Sequence, residues 1–266
     1  MIVRLNFANS SRKWLKSLIR EQCHCELCLE PLLDSASGFL CDECERQLSQ
    51  SFSACSQCGE PLMTATLPLP GHTAQRCKRC QQQTPTFDYS ICHSLYTGPV
   101  CQWVQLAKDK RQQLWMQRLA RWMAIRAPAH LNQVDALVAV PSHWHRLFMR
   151  GFNPSQILAE TLSQRYQIPL LKRALYKSAS ADQRLLGRLQ RQQQISQHYH
   201  PGQLDLSGQH LLLIDDVMTT GATASELARL LKQQGATTVG VWVLARTPSR
   251  QYQSSHHYWD RQQGEI

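Results

Sequence analysis

Three short apolar runs in the second half of the chain are typical of strands buried on both faces. They cover 136–140, 211–217 and 239–245, and each is shorter than an ordinary helix. Residues 89–96 alternate between apolar and polar positions, which predicts a further strand that ends at Thr97-Gly98-Pro99. The hydrophobic pattern therefore predicts four strands.

Helical spacing of apolar residues fills the gaps between these strands. It predicts helices over 100–126, 154–166 and 223–235, the last of which ends at Gly235. The stretch 172–200 is polar, basic and weakly periodic, and it predicts a mobile excursion at the surface. Repeated alternation of strand and helix predicts an α/β fold with a doubly wound parallel sheet.

The pattern changes near residue 84. The segment 23–84 holds nine of the eleven cysteines and too few large apolar residues to build a core of its own, so a bound metal is expected to hold it together. The chain is therefore expected to comprise an N-terminal amphipathic segment (1–22), a cysteine-rich zinc-binding module (23–84), an α/β domain (85–250) and a C-terminal tail (251–266).

Nothing in the sequence has the pattern of a membrane span or of a secretory signal. No stretch approaches the run of about 18 apolar residues that a spanning helix needs, and the first residues lack an uninterrupted apolar core. The basic amphipathic segment 1–22 fits either packing on its own protein or contact with a membrane surface. We expect a cytoplasmic protein with no membrane insertion.

Positive charge is concentrated in the middle of the chain. The formal net charge is +10, and residues 101–200 hold 15 Lys/Arg against 4 Asp/Glu, a local balance of +11. A concentrated positive field favours phosphate-rich partners such as nucleotides, pyrophosphate or nucleic acid. A solvated basic face would give the same count, so charge alone does not choose between the two interpretations.

Eight of the eleven cysteines form four Cys-x-x-Cys pairs. The pairs are Cys25/Cys28, Cys41/Cys44, Cys55/Cys58 and Cys77/Cys80. Each pair places two thiolates on a tight turn, and two pairs complete the tetrahedral sulfur site that Zn²⁺ prefers. An odd cysteine count fits a disulfide framework poorly. Redox dithiols are a further alternative, but no βαβ pattern typical of thioredoxin surrounds the pairs.

We expect two structural zinc ions, one bound by the first two pairs and one by the last two. A cross-braced arrangement that joins the first pair to the third fits the same spacings, and a single surviving site is another alternative. Cys23, His24 and His72 lie close enough in sequence to act as substitute ligands. The sequence therefore leaves the pairing and the metal count open.

The segment 211–223 combines an apolar strand, two acids and a loop that opens a helix. Asp215 and Asp216 follow four apolar residues, a layout that places them in the crevice where open α/β sheets bind ligands. The loop residues, whose amides and hydroxyls can surround a phosphate, are Thr219, Thr220, Gly221, Ala222 and Thr223. Adjacent carboxylates would repel a phosphate unless they bind ribose hydroxyls and, through them, Mg²⁺.

This segment resembles the phosphoribosyl-diphosphate (PRPP) signature of type I phosphoribosyltransferases. The hydrophobic run, the acid pair and Thr-Thr-Gly-x-Thr are all present. The resemblance implies a type I phosphoribosyltransferase-like fold in which Asp215 and Asp216 are the catalytic acids that contact the ribose. It also implies that the loop holds the 5′-phosphate and that Mg²⁺ binds with PRPP. A strand whose acids merely cap a helix is the alternative.

A wider set of landmarks resembles the ComF/GntX family, which combines a double zinc ribbon with a phosphoribosyltransferase domain and is linked to competence and DNA utilisation. Beyond the cysteine pairs and the PRPP segment, the landmarks are Phe87-Asp88, Tyr96-Thr97-Gly98-Pro99, Lys108, Val138–Ser142, Arg146, Arg150-Gly151-Phe152-Asn153, Gln183, Gly235-Ala236 and Ala245-Arg246. The family resemblance implies a pyrophosphate loop at Pro141, Ser142 and His143, with Arg146 and Arg150 nearby. Guanidinium groups suit pyrophosphate because they donate two parallel hydrogen bonds. Arg150 could instead cap a helix together with Asn153.

Two functions from different classes follow from these features. The first is a protein that binds PRPP or a related ribose phosphate with Mg²⁺, and that acts as a phosphoribosyltransferase if an acceptor sits over the ribose. The second is a non-catalytic zinc-containing adaptor that binds single-stranded DNA or DNA-uptake proteins through its basic centre. The sequence shows no base-binding pocket that would identify an acceptor.

Overall fold

A computed structural model describes residues 24–32, 35–49, 53–62, 75–109, 112–142, 144–178, 198–250 and 252. These residues form two compact units, one up to Leu48 and one from Ser49 onward. The predicted amphipathic segment 1–22 and nearly all of the predicted C-terminal tail lie outside the described residues. Within the described residues, no helix is long and apolar enough to cross a membrane.

The described residues of the smaller unit, 24–32 and 35–48, form a turn and a short helix around the first two cysteine pairs. A single antiparallel bridge joins His24 to Pro31, and helix α1 spans Asp42–Leu48. Apart from its cysteines, the buried apolar residues in this described part are Leu32, Phe39 and Leu40, a core small enough that a bound metal is expected to stabilise it.

The larger unit is built on a four-stranded parallel sheet. Its strands are β1 (Tyr89–Leu95), β2 (Ala136–Ala139), β5 (His210–Met218) and β6 (Thr238–Arg246), in the spatial order β1-β6-β5-β2. Residues 211–214 of β5 and 239–245 of β6, the two central strands, are apolar and buried, as expected where helices cover both faces of a parallel sheet. All four strands that the hydrophobic pattern predicts are present, within one or two residues of their predicted ends.

Helices connect the strands of the sheet. They are α2 (Lys78–Gln82), α3 (Gly98–Lys108), α4 (Gln113–Met123), α5 (Trp144–Arg150), α6 (Pro154–Tyr166) and α7 (Ala222–Gln233). Proline at the start of α6 and a left-handed residue, Gln167, at its end match the predicted bounds of this helix. The predicted α/β fold with a parallel sheet is confirmed.

The continuous helix predicted over 100–126 is wrong, because the chain breaks into α3 and α4. Asp109 has extended backbone angles (φ −74°, ψ 162°), and its N–H bonds the carbonyl of Leu106. Apolar spacing alone does not reveal this break. Trp103 of α3 and Trp122 of α4 are both buried, and their rings stack edge to face with centroids 6.3 Å apart.

The predicted excursion at 172–200 contains a small antiparallel pair of strands. Strand β3 (Leu175–Lys177) pairs with β4 (Tyr199–Pro201), so the chain leaves and returns at one place. Residues 179–197, between these strands, lie outside the described residues, and the prediction of mobility falls on them.

Candidate functional site

The ends of strands β2 and β5 bring two predicted loops side by side. Ala139 lies opposite Ile214 in the parallel register, and the Val140 N–H donates to the Ile214 carbonyl at 3.0 Å. Pro141 and Ser142 therefore begin their turn beside the point where Asp215 and Asp216 leave the buried part of β5. This is the carboxyl edge of the sheet, where open α/β folds bind ligands.

Asn153 fixes the turn after β2. Its side-chain amide donates to the Val140 carbonyl at 3.0 Å, and its Oδ1 accepts a hydrogen bond from Ser142 Oγ at 2.7 Å. Asn153 immediately precedes helix α6 but does not cap it with its side chain. The predicted pyrophosphate turn is thus held in shape by a residue eleven positions further along the chain.

The predicted basic residues near this turn belong to helix α5. Arg150 is its last residue and is partly buried, while Leu147, Phe148 and Met149 are exposed. His143 and the side chain of Arg146 lie outside the described part of the structure.

Asp215 is positioned by helix α6. The hydroxyl of Ser155 donates to Asp215 Oδ1 at 2.7 Å, and the N–H of Asp216 donates to the same oxygen at 3.0 Å. Burial of this carboxyl group, reinforced by the neighbouring charge of Asp216, raises its pKa to about 7. A carboxyl group with such a pKa can exchange its proton close to neutral pH.

Asp216 forms an ion pair with Lys108. The ammonium group lies 2.8 Å from Asp216 Oδ2, while Oδ1 accepts a hydrogen bond from the Val217 N–H at 2.7 Å. Both side chains are largely buried, with 27% of Lys108 and 13% of Asp216 exposed. The two acids of the segment therefore differ, since one has a raised pKa and the other has a basic partner.

The predicted phosphate loop lies between β5 and α7. Thr219 and Thr220 are exposed, and Gly221 adopts a left-handed conformation (φ +76°) just before the helix. A Cβ on Gly221 would lie 3.5 Å from both Met218 and Phe87, so the glycine is needed for its backbone conformation more than for space. The first N–H groups of a helix have no partner within it and attract anions. The predicted phosphate loop thus ends at the N-terminus of α7, where backbone N–H groups favour anions.

The sequence analysis did not name Ser155 or Arg79, which support this site, and it named Asn153 only as a landmark and a helix cap. Ser155 and Asn153 act through side chains that flank Pro154, and Arg79 donates to the Thr220 carbonyl at 2.7 Å. Lys108 entered the sequence analysis only as a landmark, without a role. Polar residues at the start of α6 are a local sequence signal for this role. The contact of Arg79 joins residues 141 positions apart, so no local sequence signal predicts it.

The eight paired cysteines gather into two separate clusters. Cys25, Cys28, Cys41 and Cys44 form the first, and Cys55, Cys58, Cys77 and Cys80 form the second, with all four sulfurs of each within 4.8 Å of one another. This is the sequential grouping of pairs and not the cross-braced one. His24 belongs to neither cluster, while Cys23 and His72 lie outside the described residues.

The clusters have the dimensions of zinc sites. The Sγ atoms of Cys28 and Cys41 are 3.7 Å apart, as are those of Cys58 and Cys77. Zinc–sulfur bonds of about 2.3 Å in a tetrahedron give sulfur–sulfur edges of about 3.8 Å. A hydrogen bond from Cys58 lowers the pKa of Cys55 to about 4, while that same hydrogen bond and burial raise the pKa of Cys58, as expected of thiols packed closely together. Both clusters are metal-binding sites that fit structural Zn²⁺.

The two clusters open with the same turn, repeated thirty residues apart. Cys25-Glu-Leu-Cys-Leu-Glu-Pro-Leu and Cys55-Ser-Gln-Cys-Gly-Glu-Pro-Leu share five residues, and Cys25 and Cys55 each donate to the carbonyl of the glutamate five positions on, at 2.8 Å. Leu29 and Gly59 both adopt left-handed backbone angles (φ +63° and +64°). This internal repeat was readable from the sequence but not used in its analysis.

Comparison with known proteins places the chain in a family. The family described as "Phosphoribosyl transferase domain" matches residues 149–265. DNA utilization protein YhgH of Salmonella typhi is 33% identical over 229 residues, which is 84% of this chain and 96% of that protein. Competence protein F of Haemophilus influenzae is 30% identical over 223 residues, 80% of this chain and 93% of that protein.

Solved structures give a weaker likeness. The glutamine phosphoribosylpyrophosphate amidotransferase of B. subtilis is 18% identical, covers 48% of this chain and 25% of its own, and has a TM-score of 0.35. The family assignment depends instead on the full-length relatives, the matched domain, the parallel sheet and the two Cys₄ clusters. On these grounds, the chain is a phosphoribosyltransferase-fold member of the ComF/GntX family of competence and DNA-utilisation proteins.

Proposed function

We propose that this protein binds PRPP or a related ribose phosphate, together with Mg²⁺, at the carboxyl edge of its sheet. The observation that carries the proposal is the position of Asp215 and Asp216, between the turn that follows β2 and the loop that opens α7. A ligand with a phosphate at one end, vicinal hydroxyls in the middle and a diphosphate at the other end matches this order of groups.

Each part of such a ligand has its own set of residues. Amides and hydroxyls of the loop Thr219–Thr223 would hold the 5′-phosphate, and the two carboxylates would accept hydrogen bonds from the ribose hydroxyls. The turn at Pro141, Ser142 and His143, with Arg146 and Arg150, would face the diphosphate. Mg²⁺, which prefers carboxylate and phosphate oxygens, would supply positive charge that neutralises the diphosphate.

The ion pair between Lys108 and Asp216 supports the assignment of this acid. A partly buried carboxylate requires a positive or hydrogen-bonding partner, and here a lysine provides one without a ligand. Ribose hydroxyls or Mg²⁺ would bind Asp216 alongside Lys108 or in its place. Asp215, whose pKa is raised to about 7, can bond a hydroxyl group as an acceptor when it is ionised or as a donor when it is protonated.

The same arrangement would serve phosphoribosyl transfer. Positive charge would develop on the ribose ring, where the carboxylates of Asp215 and Asp216 would stabilise it, and negative charge on the departing pyrophosphate, which guanidinium and backbone N–H groups would stabilise. Transfer to an acceptor would be a further step after binding.

A role in DNA utilisation inside the cytoplasm completes the proposal. The relatives are named for DNA utilization and for competence, and residues 101–200 of this chain carry a balance of +11 that suits single-stranded DNA or proteins bound to it. The cytoplasmic location is supported by eight thiols arranged for metal binding, a state that a reducing compartment preserves.

Isothermal titration calorimetry with PRPP and Mg²⁺ tests the binding proposal. Wild-type protein should bind, and the double variant Asp215→Asn/Asp216→Asn should bind at least about tenfold more weakly, because it loses both ribose contacts. Asp205→Asn is the matched control, since Asp205 accepts hydrogen bonds from the N–H and hydroxyl of Ser207, at the end of β5 opposite to the loop, and its replacement should leave affinity unchanged.

The same protein preparation distinguishes the second candidate, a DNA-binding adaptor, from a protein that binds ribose phosphate. If wild type shows no heat with PRPP but binds single-stranded DNA with an affinity that falls steeply with salt, the ribose-phosphate proposal is wrong and the adaptor is favoured.

A further inference from the structure

Helix α2 lies at the second metal cluster and carries an arginine, Arg79, that contacts the phosphate loop. The helix spans Lys78–Gln82, and two ligands of the cluster, Cys77 and Cys80, lie just before it and within it. Cys80 is fully buried, and the Sγ of Cys77 lies 3.7 Å from that of Cys58. A metal ion held by these four thiolates would therefore fix the position of the helix.

Arg79 projects from this helix onto the loop. Its guanidinium donates to the carbonyl of Thr220 at 2.7 Å. Arg79 also lines a cavity of about 420 Å³ together with Thr86, Thr220, Ala222, Ser225 and Glu226. The loop is thus contacted from the side of the metal cluster by a group that stays charged at every relevant pH.

This contact determines the direction of an amide that the ligand would use. The peptide between Thr220 and Gly221 is trans, so the Thr220 carbonyl and the Gly221 N–H point in opposite directions. Gly221 has left-handed angles (φ +76°), and glycine allows such a peptide plane to rotate at little cost. By holding the carbonyl on one side, Arg79 keeps the Gly221 N–H on the other side.

Further hydrogen bonds join the cluster to the strands that carry the loop. Arg246 is buried and donates from Nε to the Cys58 carbonyl at 3.0 Å and from a terminal nitrogen to the Met218 carbonyl at 3.3 Å. Glu60 accepts a 2.7 Å bond from the same guanidinium and another of 2.7 Å from the Ser249 N–H. Movement of the cluster would therefore be transmitted to the end of β5.

The linker between the cluster and the sheet adds a second connection. The N–H of Thr86 donates to Ser225 Oγ at 2.9 Å, in the first turn of α7, and Gln57 donates to the Phe87 carbonyl. Phe87 is fully buried and packs beside Gly221. Cluster and loop are parts of one hydrogen-bonded frame.

We propose that Arg79 is a positioning residue of the phosphate loop, and that metal in the second cluster and ribose phosphate in the loop stabilise each other's binding. The inference rests on the proposed function, because it assigns a support to that same site. Linkage is reciprocal, so a metal that raises ligand affinity must itself be retained more strongly when the ligand is bound.

Calorimetry on single-residue variants tests the role of Arg79. Arg79→Ala should weaken PRPP binding about ten- to hundredfold, since it removes a charge-assisted hydrogen bond from the loop. Arg79→Lys should recover part of this loss, because lysine can still donate to the Thr220 carbonyl. Lys78→Ala is the matched control: it removes a positive charge from the neighbouring exposed position and should bind like wild type.

Thiol alkylation supplies a readout that a merely structural arginine would not change. Wild-type protein is exposed to a zinc chelator and iodoacetamide, and labelling of Cys77 and Cys80 is followed by mass spectrometry with and without PRPP and Mg²⁺. The ligand should slow labelling of both cysteines in wild type and in Lys78→Ala, but not in Arg79→Ala.

The outcomes separate this inference from the proposed function. If wild type binds PRPP, and Arg79→Ala binds it equally well and shows the same protection of Cys77, the inference is overturned while the proposed function stands. If wild type does not bind PRPP, both are wrong. Replacement of the cluster's own cysteines is avoided, because Cys55, Cys58 and Cys80 belong to the buried core of the larger unit.

Discussion

The ammonium group of Lys108 lies 2.8 Å from Oδ2 of Asp216. The lysine is the last residue of α3, and the aspartate lies on β5, at the carboxyl edge of the sheet. Asp215, the next acid along the strand, has a pKa raised by burial and by the charge of Asp216, and Lys108 opposes that rise. Lys108 therefore balances the charge of both acids.

Replacing Lys108 should raise the pKa of Asp215 further. In Lys108→Met the charge that lowers this pKa is gone, while the repulsion from Asp216 remains, so the value should move above about 7. Carbon-detected NMR of the aspartate carboxyl groups measures the shift directly. Lys172→Met, which removes an exposed lysine paired with Glu160, is the control and should leave the Asp215 titration unchanged.

The raised pKa of Asp215 predicts a stability that depends on pH. A carboxyl group whose pKa is about 7 in the folded state, against an ordinary 3.8, keeps its proton up to a higher pH in the folded state than in the unfolded state. The stabilisation that this proton gives the folded state is fully present below the ordinary pKa of 3.8 and is lost as the pH rises through about 7. Asp215→Asn does not titrate, so its stability relative to wild type should increase by about 2–4 kcal/mol between about pH 5 and about pH 8.

Urea denaturation at several pH values checks this prediction. Asp205→Asn is an informative control, because hydrogen bonds from Ser207 lower the pKa of Asp205 and give its linkage the opposite sign. A stability difference between Asp215→Asn and wild type that does not change with pH would show that Asp215 titrates normally.

The turn of the second cluster should not tolerate a side chain at Gly59. Besides its left-handed angle (φ +64°), an added Cβ would lie 2.3 Å from Cys92 Sγ. Gly59→Ala should therefore lower the free energy of unfolding by about 2–4 kcal/mol, from both backbone strain and the clash. Leu29 occupies the equivalent turn of the first cluster with φ +63°, which shows that the backbone angle alone is tolerated.

A matched glycine separates the clash from the strain. Gly208 has a similar angle (φ +76°) but nothing within 4 Å of an added Cβ, so Gly208→Ala should cost only about 1 kcal/mol. Chemical denaturation of both variants decides the matter. Equal losses would mean that the contact between Gly59 and Cys92 has no role.

Glu60 should be more important for stability than an ordinary surface acid. It pairs with Arg246, whose side chain is only 2% exposed, so Glu60→Gln leaves a buried guanidinium without a counter-charge. Loss of one partner of a buried ion pair costs about 3–5 kcal/mol, and the remaining amide oxygen should reduce this to about 2–4 kcal/mol. The change is measured by urea denaturation.

Glu43→Gln provides the comparison for Glu60. It removes the acid from an exposed pair with Arg46, in which more than half of each side chain is accessible. Exposed pairs contribute about 0–1 kcal/mol, so this variant should unfold almost like wild type. A loss for Glu60→Gln no greater than this would contradict the frame that joins the cluster to the sheet.

Local signals in the sequence were enough for the sheet, for α6 and α7 and for the family. Apolar runs mark buried strands wherever they occur, and Asp215-Asp216 with its Thr/Gly loop is a contiguous segment. Four Cys-x-x-Cys pairs likewise predict metal binding without knowledge of the fold. Each of these features lies within a few residues of chain, where periodicity and spacing carry the information.

Features that depend on distant residues could not be read in the same way. Ser155 and Asp215 are sixty residues apart, and Arg246 and Glu60 are separated by 186. The break after Lys108 was missed because buried apolar residues recur at helical spacing on each side of it, within α3 and within α4. The three-residue strands β3 and β4 are too short to show a period, and their pairing is set by tertiary contacts.

Hydrogen–deuterium exchange locates the ligand and so tests the central claim most directly. Amide exchange is measured by mass spectrometry on wild-type protein with and without PRPP and Mg²⁺. Slower exchange should be strongest in peptides covering Thr219–Thr223 and Ser142-His143, because the N–H groups of these residues would bind the two ends of the ligand. Binding that leaves the exchange of both segments unchanged would place the ligand elsewhere and contradict the proposed site.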